Sequence, residues 1–173
     1  NNLLIMKYTM IIVSLFYLVT LQAQDNRLPG KVRKQFEGTW SLVAVENTNA
    51  DGSKTLPYGE SPVGMLVFTN KGDYAIQILK SVRPKVAAND KNKATNEENA
   101  ALVQGNNSHF GTYTVDMLNS TITFNVQHAF YPNWEGTIQV RTFILEGNML
   151  SYVVTHTTNG GSITAIVRWK KTG

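Results

Sequence analysis

Thr121-Ile122-Thr123-Phe124-Asn125-Val126-Gln127-His128 alternates without a break. Successive side chains of a strand point to opposite faces. Ile122, Phe124, Val126 and His128 therefore fall on one side, and Thr121, Thr123, Asn125 and Gln127 on the other. A helix would scatter both sets around its axis. The stretch reads as a half-buried strand with an apolar inner face, and the alternation carries His128 onto that face, near the end of the strand.

Outward from this stretch, the same kind of segment recurs. His109–Val115 precedes it across a turn at Asp116–Asn119. Ala129–Glu135 is a loop carrying Tyr131-Pro132-Asn133-Trp134, and Gly136–Leu145 is the next strand. Glu146-Gly147-Asn148 turns the chain into Leu150–His156, Thr157–Gly161 turns it again, and Ser162–Trp169 is the last strand. On the N-terminal side, Gly38–Glu46 is the first strand, followed by a polar loop over Asn47–Glu60. Val63–Thr69 and Tyr74–Leu79 form a hairpin about Asn70-Lys71-Gly72-Asp73, where asparagine and glycine tolerate positive φ. One helix is predicted, from about Asn96 to Gln104. Thr95 and Glu98 form a capping box in which hydroxyl and carboxylate each satisfy a free backbone N–H. Eight strands in sequence, mostly joined by short turns, build a meander. The expected fold is all-β: an eight-stranded antiparallel up-and-down barrel with one short helix, which removes exposed sheet edges and leaves room for a small ligand. A two-sheet sandwich is the alternative.

The 173 residues suit one domain, with 42% hydrophobic and 16% charged residues. A core of that size needs no staples, and there is no cysteine to make a disulfide, a thiolate metal site or a thiol nucleophile. The net charge is +4, yet the lysines and arginines are scattered and the strand-like segments carry almost none. Their one local excess, Lys80, Arg83, Lys85, Lys91 and Lys93, falls in a predicted loop. We expect no nucleic-acid partner. A lip that attracts an anionic ligand is a narrower reading of that loop.

Met6-Lys7, the run Met10–Val19 and Thr20-Leu21-Gln22-Ala23 follow the order of a secretory signal: charge, apolar core, small-residue cleavage site. The apolar run is shorter than the roughly 20 residues that span a bilayer. Residues 1–23 are read as a signal peptide, 24–35 as a flexible lead-in and 36–173 as the folded domain. This predicts a secreted or periplasmic protein with no stable membrane anchor and, lacking a cysteine after the signal, no bacterial lipid anchor.

Gly38-Thr39-Trp40 at the start of the first strand resembles the signature of the lipocalins and wider calycins. Pro57-Tyr58-Gly59, Pro62-Val63-Gly64, Arg83-Pro84, Glu97-Glu98 and Gly111-Thr112-Tyr113 follow. His128, Pro132-Asn133-Trp134-Glu135-Gly136, Gln139-Val140-Arg141 and Gly147-Asn148-Met149-Leu150 come next, with Trp169 near the end. Together they resemble the lipocalin-like domains of bacteria and fungi over about Phe36 to Lys171. The resemblance implies a barrel with an internal cavity, a tryptophan (Trp40) plugging its closed end and a cation from the last strand across that ring. Arg168 is the candidate cation, with Lys170 or Lys171 as alternatives. The arginine usual after the terminal tryptophan stands here as Lys171.

The candidate ligand-binding residues are His128, Gln139, Arg141, Tyr113, Phe124, Tyr74 and Trp134. His128 is either a cavity contact or a core histidine with satisfied hydrogen bonds. Gln139 and Arg141 share a face with Phe143 and Leu145, which argues inward. Ile138, Val140 and Ile144 on the opposite face argue the reverse, and the resemblance favours inward. A buried arginine needs an anion, and no acidic residue falls on the predicted inner faces of the middle strands, so the ligand is expected to carry a carboxylate or similar acceptor. Tyrosines supply apolar area with a polar tip, and Trp134 sits where it would cover an entrance. His109, His128 and His156 show no metal-ligand spacing, and no nucleotide fingerprint, phosphate loop or nucleophile elbow is present. We expect neither metal nor cofactor. The resulting reading is a secreted binding protein for a small apolar or amphipathic molecule. The alternative is a cofactor-free isomerase, cyclase or hydrolase in the same cavity, with His128 as acid or base and Arg141 stabilising negative charge.

Overall fold

Nine strands alternate with turns along the chain in a computed structural model that describes residues 34–155, 157, 158 and 162–173. They are β1 (Gly38–Asn49), β2 (Lys54–Thr55), β3 (Val63–Phe68), β4 (Asp73–Leu79), β5 (Asn106–Asp116), β6 (Thr121–Ala129), β7 (Ile138–Glu146), β8 (Met149–Thr155) and β9 (Ser162–Lys171). Strands β3 to β9 pair antiparallel in chain order, β1 pairs with β3, and β1 also pairs with β9 from Trp40↔Lys171 to Asn49↔Ser162. That last ladder closes the sheet on itself, so the molecule is an eight-stranded barrel and not a sandwich. The two-residue β2, which the sequence reading placed within a loop, folds back on Asn47 and Thr48 of β1. The barrel unit runs from Phe36 to Gly173. Residues 1–23, read above as a signal peptide, most of the expected lead-in and His156 lie outside the described residues.

The helix α1 (Asn96–Gln104) begins where expected. Glu98 N–H donates to Thr95 Oγ1 at 3.2 Å, and Thr95 N–H donates to the Glu98 carboxylate at 2.9 Å. It carries no buried residue, so its caps and not a packed face define its N-terminal end.

Inward-facing aromatics fill one part of the barrel. Trp40, Trp169, Phe36, Phe68 and Phe124 are buried, and Phe36 meets both Phe68 and Phe143 edge-on. Trp40 Nε1–H donates to the Phe36 carbonyl at 2.8 Å, so the plug's one polar group is satisfied. Gly38 sits at φ +117°, and a Cβ there would lie 2.0 Å from the Gly173 carbonyl oxygen. The glycine of the Gly-x-Trp pattern is thus required by backbone packed directly against it. The cation over Trp40 is Lys171, with Nζ 5.4 Å from the ring centroid. Arg168 does not fill that role. It lies one position from buried Val167 and Trp169, so it points away from the interior, and its charge acts on Glu46. Lys171 shares the inward parity of Trp169.

Two irregularities shape the other end. In the β5–β6 ladder Phe110 pairs with His128 but Gly111 pairs with Val126, so Gln127 is an extra residue. Such a bulge reverses the alternation beyond it. A Cβ at position 111 would come within 2.1 Å of the Asn125 carbonyl oxygen, which is why glycine faces the bulge. The second irregularity is a seam. Strand β7 pairs with β6 over Ile138–Thr142, but with β8 only from Phe143↔Tyr152 to Glu146↔Met149. Val153–Thr155 of β8 continue with β9. Toward this end β7 and β8 share no ladder.

Candidate functional site

A cavity of about 380 Å³ occupies this end, with Asn47, Tyr58, His109, Trp134, Gln139 and Arg141 among its lining residues. Val154 and Thr155 of β8 and Gln139 and Arg141 of β7 all border it, on the two sides of the seam.

Strand parity positions Gln139 and Arg141. Along β7 the backbone exposes Ile138, Val140, Thr142 and Ile144 and turns Gln139, Arg141, Phe143 and Leu145 toward the interior. Three large aliphatics are left in water so that this polar pair faces the cavity. Arg141 Nη2 donates to Gln139 Oε1, Gln139 Nε2 donates to Thr137 Oγ1 at 3.4 Å, and Thr137 Oγ1 donates to the Trp134 carbonyl at 2.6 Å. Burial lowers the Arg141 pKa from its ordinary value, with the nearby Tyr152 and Tyr74 phenols opposing the change. Guanidinium remains a cation at neutral pH all the same. Among the described residues the ion pairs are Lys54–Glu46 and Lys93–Asp90, and His128 lies beside Glu135. None engages Arg141.

The histidine in the cavity is His109. Its Nδ1 lies 2.7 Å from the Tyr74 hydroxyl, and its ring stands edge-on to Trp134 at 5.9 Å. Burial, aided by the Arg141 charge, depresses its pKa to about 4, so it is neutral at physiological pH. Tyr74 is raised well above the usual phenol range, first by burial. Tyr152 is pushed up to about 12, also chiefly by burial. The group beside Arg141 is therefore two neutral phenols and a neutral imidazole. The amides of Asn47 and Asn107 and the Tyr58 ring complete the polar part of the wall, against an aliphatic part that includes Val45, Val154 and Ala165.

His128 is not in this cavity. Its side chain is 66% exposed, it pairs across the sheet with exposed Phe110, and it lies 3.5 Å from Glu135 on the outside. The cause is the bulge at Gln127, which sends the next residue outward. An acid–base pair of His128 and Arg141 is thus not assembled inside the barrel. His128 instead borders an outer depression together with Met65, Phe110 and Phe130.

Of the other candidates, Trp134 lines the cavity from a 3₁₀ turn (Pro132–Trp134). Tyr74 stands on the inner wall, and Phe124 packs against it at 4.7 Å, with Tyr152 and His109 at 6.0 and 6.2 Å. Tyr113 belongs to the packed core, with its ring 4.4 Å from Phe68 and its hydroxyl donating to the Thr69 carbonyl. His109, Asn47 and Tyr58 were missed as cavity residues. The parity of β5 was a usable signal for His109, since it lies four residues before the inward Tyr113. Asn47 lay beyond the predicted end of the first strand, and Tyr58 comes from the long loop.

An up-and-down barrel packed at one end, with a cavity at the other, defines the class of protein: a closed antiparallel β-barrel of the lipocalin type. The family model described as a lipocalin-like domain matches residues 37–172. The chain belongs to that family. Comparison with curated proteins finds no match.

Proposed function

We infer that the protein holds a small amphipathic molecule in the cavity, with an anionic group of that molecule, such as a carboxylate, on Arg141. One observation carries this reading. A half-buried guanidinium faces the cavity with no carboxylate beside it among the described residues, and a cation drawn partly out of water without an anion is costly. His109 supplies a neutral polar contact on the cavity wall, and the uncharged Tyr74 and Tyr152 behind it do not compete for the cation. Aliphatic and aromatic walls cover the rest of the ligand, in keeping with a mostly enclosed pocket that carries a few placed polar groups. The polar share of this wall favours an amphipathic over a purely apolar ligand. Export to the periplasm or the exterior is part of the same proposal, and rests on the charge, apolar run and small-residue order of residues 6–23.

Native mass spectrometry of the protein purified from its own host tests the reading. A stoichiometric small-molecule adduct is expected, released on denaturation. Arg141→Met should lose it while melting at the same or a higher temperature, because a half-buried, unpaired cation is replaced by a hydrophobic side chain of similar length. An Arg141→Met protein that keeps its adduct overturns the assignment of the anionic end.

A further inference from the structure

The hydrogen bonds along β7 have a direction. Thr137 Oγ1 gives its proton to the Trp134 carbonyl, which leaves the oxygen as an acceptor. Gln139 Nε2 donates to that oxygen, so Gln139 Oε1 turns to Arg141 and accepts from Nη2. Reversing the amide would set its NH₂ against the guanidinium, donor against donor, and against no acceptor. The orientation of Gln139 is therefore dictated by Thr137 on one side and Arg141 on the other.

A carbonyl oxygen holds a guanidinium by one bond and leaves its charge intact. A carboxylate in the same place would hold it too, but would cancel the charge and fill the fork that an incoming anion needs. Gln139 differs from glutamate by one atom group, and that difference decides whether the cavity offers a cation. The neighbouring Tyr74 and Tyr152 phenols stay protonated at neutral pH, so they do not cancel the charge either.

We propose that Gln139 is a positioning and specificity-determining residue. It holds the Arg141 guanidinium toward the cavity with its charge uncancelled, so that the site selects a small organic carboxylate over an uncharged molecule of the same shape. This rests on the reading of the cavity as a small-molecule site.

The probes are 2-naphthoate and 2-naphthamide, which share their rings and differ in charge, each titrated calorimetrically into the purified protein at pH 7. The wild type is expected to bind naphthoate at least about tenfold more tightly, the scale of one charge-assisted hydrogen bond. Gln139→Glu should bring the two affinities within about twofold by lowering that of naphthoate and not that of naphthamide. Gln139→Met, which leaves the cation but removes the acceptor that positions it, should weaken the preference for naphthoate without abolishing it, and Arg141→Met should abolish it. A Gln139→Glu protein with the wild-type preference, or with the same preference as Gln139→Met, overturns the role of Gln139. Should Gln139→Glu fail to fold, Gln139→Met and Arg141→Met decide, and a full wild-type preference in either variant overturns the proposal. Equal wild-type affinities would overturn the selection of anions while leaving the cavity reading intact. Binding of neither probe would overturn the cavity reading, and this inference with it.

Discussion

Among individual residues, His109 shows the effect of the fold on a group that titrates near neutral pH. Held against Tyr74 and screened from water, it has a pKa near 4 in the folded protein, against 6.5 for a free histidine. The unfolded chain therefore binds more protons than the folded one between these values. Stability contributed by keeping the ring neutral is present above pH 6.5 and is lost as the pH falls toward 4. The loss amounts to about 3 kcal/mol across that window. A series of thermal melts between pH 4 and 7 should show this slope, and His109→Gln should flatten it. A His109→Gln protein with the full wild-type slope would place the titration elsewhere, in spite of the burial of this ring.

At the scale of elements, the bulge in β6 matters more than any single strand. It costs one residue of register and moves His128 from the inner face to the outer. The partner strand accommodates it with Gly111, whose missing side chain lets the Asn125 carbonyl approach. Gly111→Ala is expected to destabilise the barrel by about 2–3 kcal/mol, because the obstructing atom is backbone and cannot rotate away. Chemical denaturation would measure it, and a loss below a few tenths of a kcal/mol would mean that the bulge relaxes freely. The β7–β8 seam is the counterpart on the other side. Where the ladder stops, residues of both strands border the cavity.

For the whole molecule, closure of the barrel depends on the β1–β9 ladder and on the plug at its packed end. Lys171 crosses the Trp40 ring, while Arg168 points outward. Lys171→Ala should therefore cost about 1 kcal/mol, in the range of a cation held over tryptophan. Arg168→Ala should stay within about 0.5 kcal/mol of the wild type, as surface substitutions do. Paired denaturation curves of the two variants discriminate between these cations, and a larger loss for Arg168→Ala would restore it to the plug.

Much of this architecture is written locally in the chain. Alternation of apolar and polar residues, glycine and asparagine at turns, and the Thr95–Glu98 capping box are short-range signals, and each depends on physics within a few residues. They determine the eight barrel strands, their order and the helix. They also determine that one face of β7 carries both Gln139 and Arg141. Which face is the inner one was open in the sequence, since aliphatics stand on both. The assembled sheet decided it, by pairing β7 with β6 in a register that sets Gln139 and Arg141 opposite the inward Phe124 and Ile122. The bulge was likewise invisible, because the extra residue is defined only by the partner strand, and period-two reasoning carried His128 to the wrong side. Lys171 over Trp40, His109 beside Tyr74 and the amide that holds Arg141 all join or orient groups that only folding brings into register. Sequence determines the strands, and the pairing between strands decides which side chains meet inside the barrel.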